Sequence, residues 1–406
     1  MKKTLWSHDF TIITLGTLIS AIGSTAMSFA LSLVVFDHTS STLMTGIFSA
    51  ISLMPTVLIP ILAAPLVDGS CRKRLIVMLD SGNGILYLLF AAFLLMQEFS
   101  YAGYLIFSLL TASSGAIYSL AYSSLYPDLI PKGFAQKGYS VSSLIYPSVT
   151  ALFTPVASLL YVHLGIAWIC AMEGILLLIA ALFEARIRYQ ETIGERVFTL
   201  QKYKTDLMDG FRYLKKEKGI RSIYGYMAVT NASAEGINLV TMAMFQSSPI
   251  LTTTMYAFLT TADTIGRMAG GLMHYVLHIP AKKRYRVAVS VYAVYESLDM
   301  VFLFLPYPLM VINRFTCGFL GINSLNIREA STQNYLPSYM RARVNALFQV
   351  LVALIMMASR FSAGVIAQYV SYPLTALLFA SISMLAIFLL IIRNRKQVSK
   401  IYNQEL

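Results

Sequence analysis

Long apolar runs alternate with short polar segments along the whole chain. Crossing the ~30 Å hydrocarbon core of a bilayer takes about 20 helical residues, and twelve runs reach that length. Backbone groups in lipid must find their hydrogen bonds within the segment, which favours helices. The pattern predicts an all-α membrane protein with twelve transmembrane helices. The predicted segments are 11–36, 42–67, 75–97, 102–126, 138–162, 165–186, 221–246, 251–277, 285–305, 308–330, 341–369 and 372–393.

Composition and charge agree with this class and add an orientation. The chain is 57% hydrophobic and only 12% charged, whereas soluble domains carry about 25% charged residues. By our count, 28 of the 31 Lys and Arg residues lie in the segments that share one side of the membrane with the N-terminus. The positive-inside rule then predicts that both termini are cytoplasmic, in a multi-pass protein of a bacterial inner membrane. The net charge of +12 follows from this bias, so no nucleic-acid partner is expected.

The first apolar segment and the linker between the two halves are each predicted to be helical. No small-residue cleavage site follows residues 11–36, so we expect a retained helix rather than a signal peptide. The chain divides into six-helix bundles at 1–190 and 221–406, joined by a cytoplasmic linker at 191–220. Apolar residues recur there at helical spacing, which predicts an amphipathic helix on the inner membrane surface, or an ordinary charged linker. These residues are Leu200, Tyr203, Leu207, Phe211 and Leu214.

An internal repeat supports the division into two bundles. Residues 129–147 and 335–353 occupy the same place in each half, with Pro131 matching Pro337. Basic residues likewise follow the second segment of each half, at 72–74 and 282–284. Parallel six-helix repeats of this kind occur in secondary transporters, which bind substrate between the repeats.

A loop motif carries a family resemblance. The segment "APLVDGSCRKRLI" (64–76) is similar to the major facilitator superfamily signature G-x-L-A-D-R-x-G-R-K-x-x-L. The order of features most resembles the branch that exports drugs, macrolides and siderophores. The resemblance implies alternating access between two bundles and a conformational latch formed by Asp68, Arg72 and Lys73. The alternative is that the basic residues only anchor the topology.

Polar residues inside the spans are the candidate substrate site. Intramembrane ionisable groups are rare and mark transport pathways by default. The resemblance implies that spans 1, 4, 7 and 10 line a central cavity and that spans 2, 5, 8 and 11 flank it. A serine stripe on span 1 is alternatively a surface for close helix packing. The candidates are Ser24, Ser28, Thr111, Tyr118, Tyr122, Asn231, Asn238, Arg267, Arg314 and Arg360.

Two carboxylates in the second half are candidates for proton coupling. Arg267 lies one helical turn from Asp263 and favours its charged form, although this pair alternatively only neutralises itself. Glu235 has only asparagines within a turn of its own helix and is therefore the preferred proton carrier, assisted by Arg314 in one conformation. Three further acids lie on spans that are peripheral in the resembling fold, where hydrogen bonding between helices is expected. They are Glu173, Glu296 and Asp299.

These features predict a secondary transporter, most simply a proton-coupled exporter of an amphipathic small organic molecule. The candidate acids and arginines of the second half sum to +1, which favours a zwitterionic or anionic, metallophore-like substrate. Uptake by the same fold, or a membrane ligand sensor, are the alternatives. The chain has no G-x-x-x-x-G-K-[ST] phosphate loop and no nucleophile-base set, so neither an ATP-driven pump nor an enzyme is expected. No cofactor or metal is expected, and the partners are lipid, protons and substrate, bound by a monomer.

Overall fold

The computed structural model describes residues 4–68, 70–96, 99–131, 134–189, 200–276 and 280–404. Within these ranges the secondary structure is helical, and no strand occurs. The predicted all-α class is therefore confirmed. By the packing of its helices the chain forms two compact units. Unit 1 contains Met1–His38 and Ile51–Leu200, and unit 2 contains Thr39–Ala50 and Gln201–Leu406.

Helices α1 to α6 make up the first half of the chain. Ser100 begins α4 by accepting a hydrogen bond from the backbone N–H of Gly103 at 3.2 Å, which satisfies one of the N–H groups left unpaired at a helix start. Gly165, with φ of 78°, forms the tight junction between α5 and α6. The six helices are α1 (His8–Thr39), α2 (Thr42–Asp68), α3 (Arg72–Met96), α4 (Tyr101–Leu129), α5 (Ala135–Leu164) and α6 (Ile166–Glu184).

Helices α7 to α14 follow in the second half. A 3₁₀ turn at Phe302–Phe304 ends α10, and a π-helical turn at Ile387–Ile392 extends α13. The eight helices are α7 (Leu200–Lys216), α8 (Lys218–Ser247), α9 (Thr253–Val276), α10 (Ala281–Val301), α11 (Tyr307–Tyr335), α12 (Ser338–Ile366), α13 (Tyr372–Ala386) and α14 (Arg395–Tyr402).

The twelve predicted segments each coincide with a long helix. Among the described residues, nine helices are long and apolar enough to cross a membrane by length and composition. The other three long helices are α8, α9 and α11, which carry most of the polar candidates of the second half. Their polarity lowers the mean hydropathy without shortening the helices, so a span count of twelve remains a prediction.

Close backbone contact joins α3 to α6 in unit 1. A Cβ atom added at Gly84 would lie 2.9 Å from the carbonyl oxygen of Gly174, and one added at Gly174 would lie 2.8 Å from the oxygen of Gly84. Larger side chains would therefore separate the helices, and small residues permit this approach in membrane proteins. The contact holds side chains from both helices against one cavity, described below.

Unit 2 is built around α8, which packs against α12 and α13, while α11 packs along α9. The predicted linker helix is present as α7, and residues 190–199 of the linker lie outside the described part. Leu214 of α7 is buried in the core of unit 2, and Asp209 forms a 3.0 Å ion pair with Arg343 of α12. Phe211 of α7 is exposed.

Candidate functional site

Unit 1 contains a cavity of about 340 Å³ between its helices. Four of the five cavity candidates from the first half line it: Ser24 of α1 and Thr111, Tyr118 and Tyr122 of α4. Tyr122 shares a 3.0 Å hydrogen bond with Thr17 of α1, and the rings of Tyr118 and Tyr122 stack at 5.9 Å. The helical spacing of these polar residues therefore places them along one wall of this cavity. Ser28, the fifth candidate, is exposed and does not line it.

Two carboxylates also line this cavity, and a third adjoins it. Asp80 of α3 and Glu173 of α6 face the space with 4% and 3% of their surface exposed. Glu184, at the end of α6, is fully buried and accepts a 2.8 Å hydrogen bond from the Tyr118 hydroxyl. One oxygen of each carboxyl group, Oδ2 of Asp80 and Oε2 of both glutamates, has no hydrogen-bond partner. Within the described ranges, no group of His, Cys, Asp and Glu is arranged to hold a metal ion.

Gly23 of α1 makes the position of Glu173 possible. A Cβ atom at residue 23 would lie 1.6 Å from Oε2 of Glu173, a separation that no real structure tolerates. The absence of a side chain on α1 therefore leaves the space that the carboxyl group occupies. At Gly16 of the same helix, by contrast, an added Cβ atom would lie 3.4 Å from Cγ of Glu184, which is an ordinary van der Waals distance.

The peripheral assignment of Glu173 was wrong, and sequence reasoning missed Asp80 and Glu184. The missed signal is helical spacing, because Glu173 and Glu184 are eleven residues apart, close to three full turns, and so share one face of α6. Asp80 and Asn83 are likewise one turn apart on α3, and both line the cavity. Reading the polar residues of spans 3 and 6 by face would have shown an acidic face on each helix, although not that the two faces meet at one cavity.

Unit 2 holds a smaller pocket of about 170 Å³. Asn231 of α8 and Arg267 of α9 line it, next to Arg328 of α11. The Asn231 amide donates to the carbonyl of Met227 at 2.7 Å, so part of its hydrogen-bonding capacity is used within its own helix. Asn238 is exposed and lies outside this pocket.

The charged candidate residues of unit 2 form ion pairs. Asp263 and Arg267 form the i,i+4 pair that their spacing predicts, with 2.7 Å between carboxylate and guanidinium atoms. Glu235 of α8 forms a second pair, 2.6 Å from Arg360 of α12. Only asparagines lie within a turn of Glu235 on its own helix, and its cationic partner comes from another helix that sequence spacing cannot locate.

Arg314 forms an ion pair with a buried acid. Its guanidinium pairs with Asp299 of α10, donates to Asn313 at 2.8 Å and lies 3.8 Å from the ring centroid of Phe302. The expected approach of Arg314 to Glu235 is absent in this structure. Glu296 of α10 accepts hydrogen bonds from α8, including one of 2.8 Å from Thr230, so Asp299 and Glu296 do link helices as predicted.

Comparison with known proteins decides the family. The model of the MFS_3 family, described as transmembrane secretion effector, matches residues 4–405. The chain belongs to this family. No curated protein sequence matches the chain significantly.

Solved transporter structures share the fold of this MFS_3 protein. The POT family transporter PepTSo aligns with a TM-score of 0.71 at 12% identity, covering 97% of this chain and 98% of that chain. A D-xylose–proton symporter aligns with a TM-score of 0.69 at 13% identity, covering 99% and 100%. The nucleoside transporter NupG aligns with a TM-score of 0.67 at 14% identity, covering 94% and 98%. The protein is therefore a multi-pass membrane transporter of the major facilitator type.

The basic residues at the start of α3 in this MFS_3 protein contact neighbouring segments of unit 1. The Arg72 guanidinium lies 3.5 Å from the carbonyl oxygen of Ser124 and 3.9 Å from the carboxylate of Asp128, both near the end of α4. The Lys73 ammonium donates to the carbonyl of Ile187, just after α6. Cations are favoured at helix C-termini, where carbonyl groups lack partners. Asp68, the third latch candidate, has its side chain outside the described part.

Proposed function

We propose that this protein exports an amphipathic small organic molecule in exchange for protons. The observation that carries the proposal is the cavity of unit 1, whose volume of about 340 Å³ falls in the range of small-molecule sites. The description of its family as secretion effectors supports outward transport. In a separate pocket of unit 2, Asn231, Arg267 and Arg328 supply hydrogen-bond donors for polar groups.

Proton coupling is assigned to Glu235, with Asp263 as the second candidate. The Arg360 guanidinium lies 2.6 Å from the Glu235 carboxylate and also donates to the carbonyl of Ser49 at 3.3 Å. The Arg360 guanidinium thus contacts both the segment Thr39–Ala50 and Glu235. A shift of this segment would therefore change the ion pair between Arg360 and the carboxylate. A carboxylate released from its cation in a site of low polarity takes up a proton.

The cytoplasmic loop after α2 is assigned the conformational latch. Asp68, Arg72 and Lys73 stand at the junction of α2 and α3, and the two cations already bind the ends of α4 and the segment after α6. Ion pairs and carbonyl contacts of this kind stabilise one arrangement of helices and are lost in another.

A comparison of a deletion strain with its parent tests the direction of transport. Export predicts that the deletion strain retains a compound inside the cell and loses it from the medium, and that the cloned wild-type gene restores secretion. Untargeted metabolite profiling of cells and medium, with a resistance panel, provides the measurement. The reverse distribution would show uptake, and unchanged profiles with altered gene expression would show a sensor.

Labelling of Cys71 tests the proposed orientation, with both termini in the cytoplasm of the inner membrane. Cys170 and Cys317 are fully buried, so Cys71 is the one cysteine of the three with exposed surface. An impermeant thiol reagent should label the wild type in inside-out vesicles and leave intact cells unlabelled, because the loop bearing Cys71 is cytoplasmic. The Cys71→Ser variant is the control for background. Labelling in intact cells would show that the opposite orientation is correct.

A further inference from the structure

The acids of the two units differ in their partners, and the buried Glu296 of unit 2 accepts hydrogen bonds from Tyr226 and Thr230. In unit 2, Glu235, Asp263 and Asp299 each pair with an arginine. In unit 1, none of the described basic side chains forms an ion pair with Asp80 or Glu173, and no Lys, Arg or His lines their cavity. Burying an ionised carboxylate without a cation or a full set of hydrogen bonds is costly. A ligand that supplies both would offset that cost.

We propose that the unit 1 cavity binds the protonated amine of an organic cation, with Asp80 and Glu173 as its acceptors. This inference rests on the proposed function, because it names the class of substrate that the transporter carries. It also revises the zwitterionic or anionic substrate expected from the sequence. That expectation counted the arginines of unit 2, which the structure shows to be neutralised by acids.

The chemistry of the cavity fits an ammonium group. Oδ2 of Asp80, Oε2 of Glu173 and Oγ of Ser20 are buried and without partners, and all three residues line the cavity. An ammonium group has up to three N–H donors to give to such acceptors, and its charge makes each hydrogen bond stronger than a neutral one. A carboxylate ligand would instead add a further negative charge beside these oxygens.

Aromatic side chains suit the organic part of the ligand. Tyr87, Tyr118, Tyr122 and Tyr146 line the same cavity. Tyrosine rings give apolar surface to a hydrocarbon body, and their faces attract cations within about 6 Å. An inorganic cation would use the carboxylates and leave this aromatic lining without a function, whereas an amphipathic amine uses both.

Equilibrium dialysis of the purified full-length protein in detergent tests the proposal. The probes are 2-(1-naphthyl)ethylamine and its neutral analogue 2-(1-naphthyl)ethanol, with protein-free micelles subtracted. The wild type should bind the amine at least tenfold more tightly than the alcohol. Asp80→Asn and Glu173→Gln should each weaken amine binding at least tenfold while leaving alcohol binding within twofold. Glu296→Gln, which removes a carboxylate buried to the same degree in unit 2, should leave both within twofold.

A second measurement needs only the wild-type protein and so does not depend on the folding of variants. Dicyclohexylcarbodiimide modifies buried carboxyl groups, and mass spectrometry locates the adducts. The amine should protect Asp80 and Glu173 from modification, and the alcohol should not. Equal affinity for amine and alcohol, or equal protection by both, would overturn the proposal.

Neither result depends on transport. Should the deletion strain show export while purified protein lacks the amine preference, the substrate class is wrong and the proposed function stands. Should the amine bind as expected while the strains show uptake, the site is right and the direction of transport is wrong.

Discussion

Replacing Arg314 by Met should destabilise the protein more than any other single exchange among its charged residues. Arg314 is the cationic partner of Asp299, whose side chain is only 3% exposed. Without the guanidinium, a buried carboxylate would remain with no cation, and the loss of one partner from a buried pair costs about 3–5 kcal/mol. The contact of the guanidinium with the Phe302 ring, at 3.8 Å, would be lost as well.

Thermal unfolding in detergent measures this effect. A thiol-reactive fluorophore reports unfolding in a Cys71→Ser background, because Cys170 and Cys317 are buried until the helices separate. The double variant Asp299→Asn/Arg314→Met should regain much of the lost stability, because it removes both charges. Arg212→Met is the matched control, since Arg212 is 71% exposed and its 3.4 Å pair with Asp209 contributes under about 1 kcal/mol. Equal melting temperatures for Arg314→Met and Arg212→Met would contradict the prediction.

Interactions along one helix are those that the sequence predicts well. The pair of Asp263 with Arg267 follows from i,i+4 spacing, and the alignment of Thr111, Tyr118 and Tyr122 follows from the period of α4. Both need only the geometry of a single helix. The apolar runs likewise determine where helices form, because lipid leaves the backbone no other partner.

Interactions between helices could not be predicted in the same way. Arg360 is 125 residues from Glu235, and Arg314 is 15 residues from Asp299 on the next helix. Which charges meet depends on how each helix is rotated in its bundle, and every polar residue of a span has several possible neighbours. The acidic wall of unit 1 was missed for a related reason: Asp80 and Glu173 adjoin one cavity only because α3 and α6 approach closely at Gly84 and Gly174.

The pairing of Glu235 with Arg360 changes the reason for choosing Glu235 as proton carrier, but keeps it as the proposed site. The sequence suggested a carboxyl group that binds a proton because only asparagines lie within a turn of it on its own helix. The structure instead places a guanidinium at 2.6 Å, so proton uptake requires this pair to open. When the cation moves away at one stage of a transport cycle, the carboxylate binds a proton, and it releases that proton when the ion pair forms again. Coupling to a proton gradient requires this alternation.

Glu235→Gln should abolish proton-driven accumulation of substrate while preserving substrate binding. Glutamine keeps the shape of the side chain and a hydrogen bond to Arg360 but cannot exchange a proton, so only downhill movement should remain. The assay uses proteoliposomes with an imposed pH gradient and the compound identified by metabolite profiling. Asp263→Asn is the comparison: by leaving Arg267 unpaired it should reduce yield or affinity, yet the protein that folds should still respond to the gradient. If Glu235→Gln concentrates substrate as the wild type does, Glu235 is not the carrier, and the carboxyl groups of Asp80 and Glu173, which have no basic partner among the described side chains, become the next variants to assay.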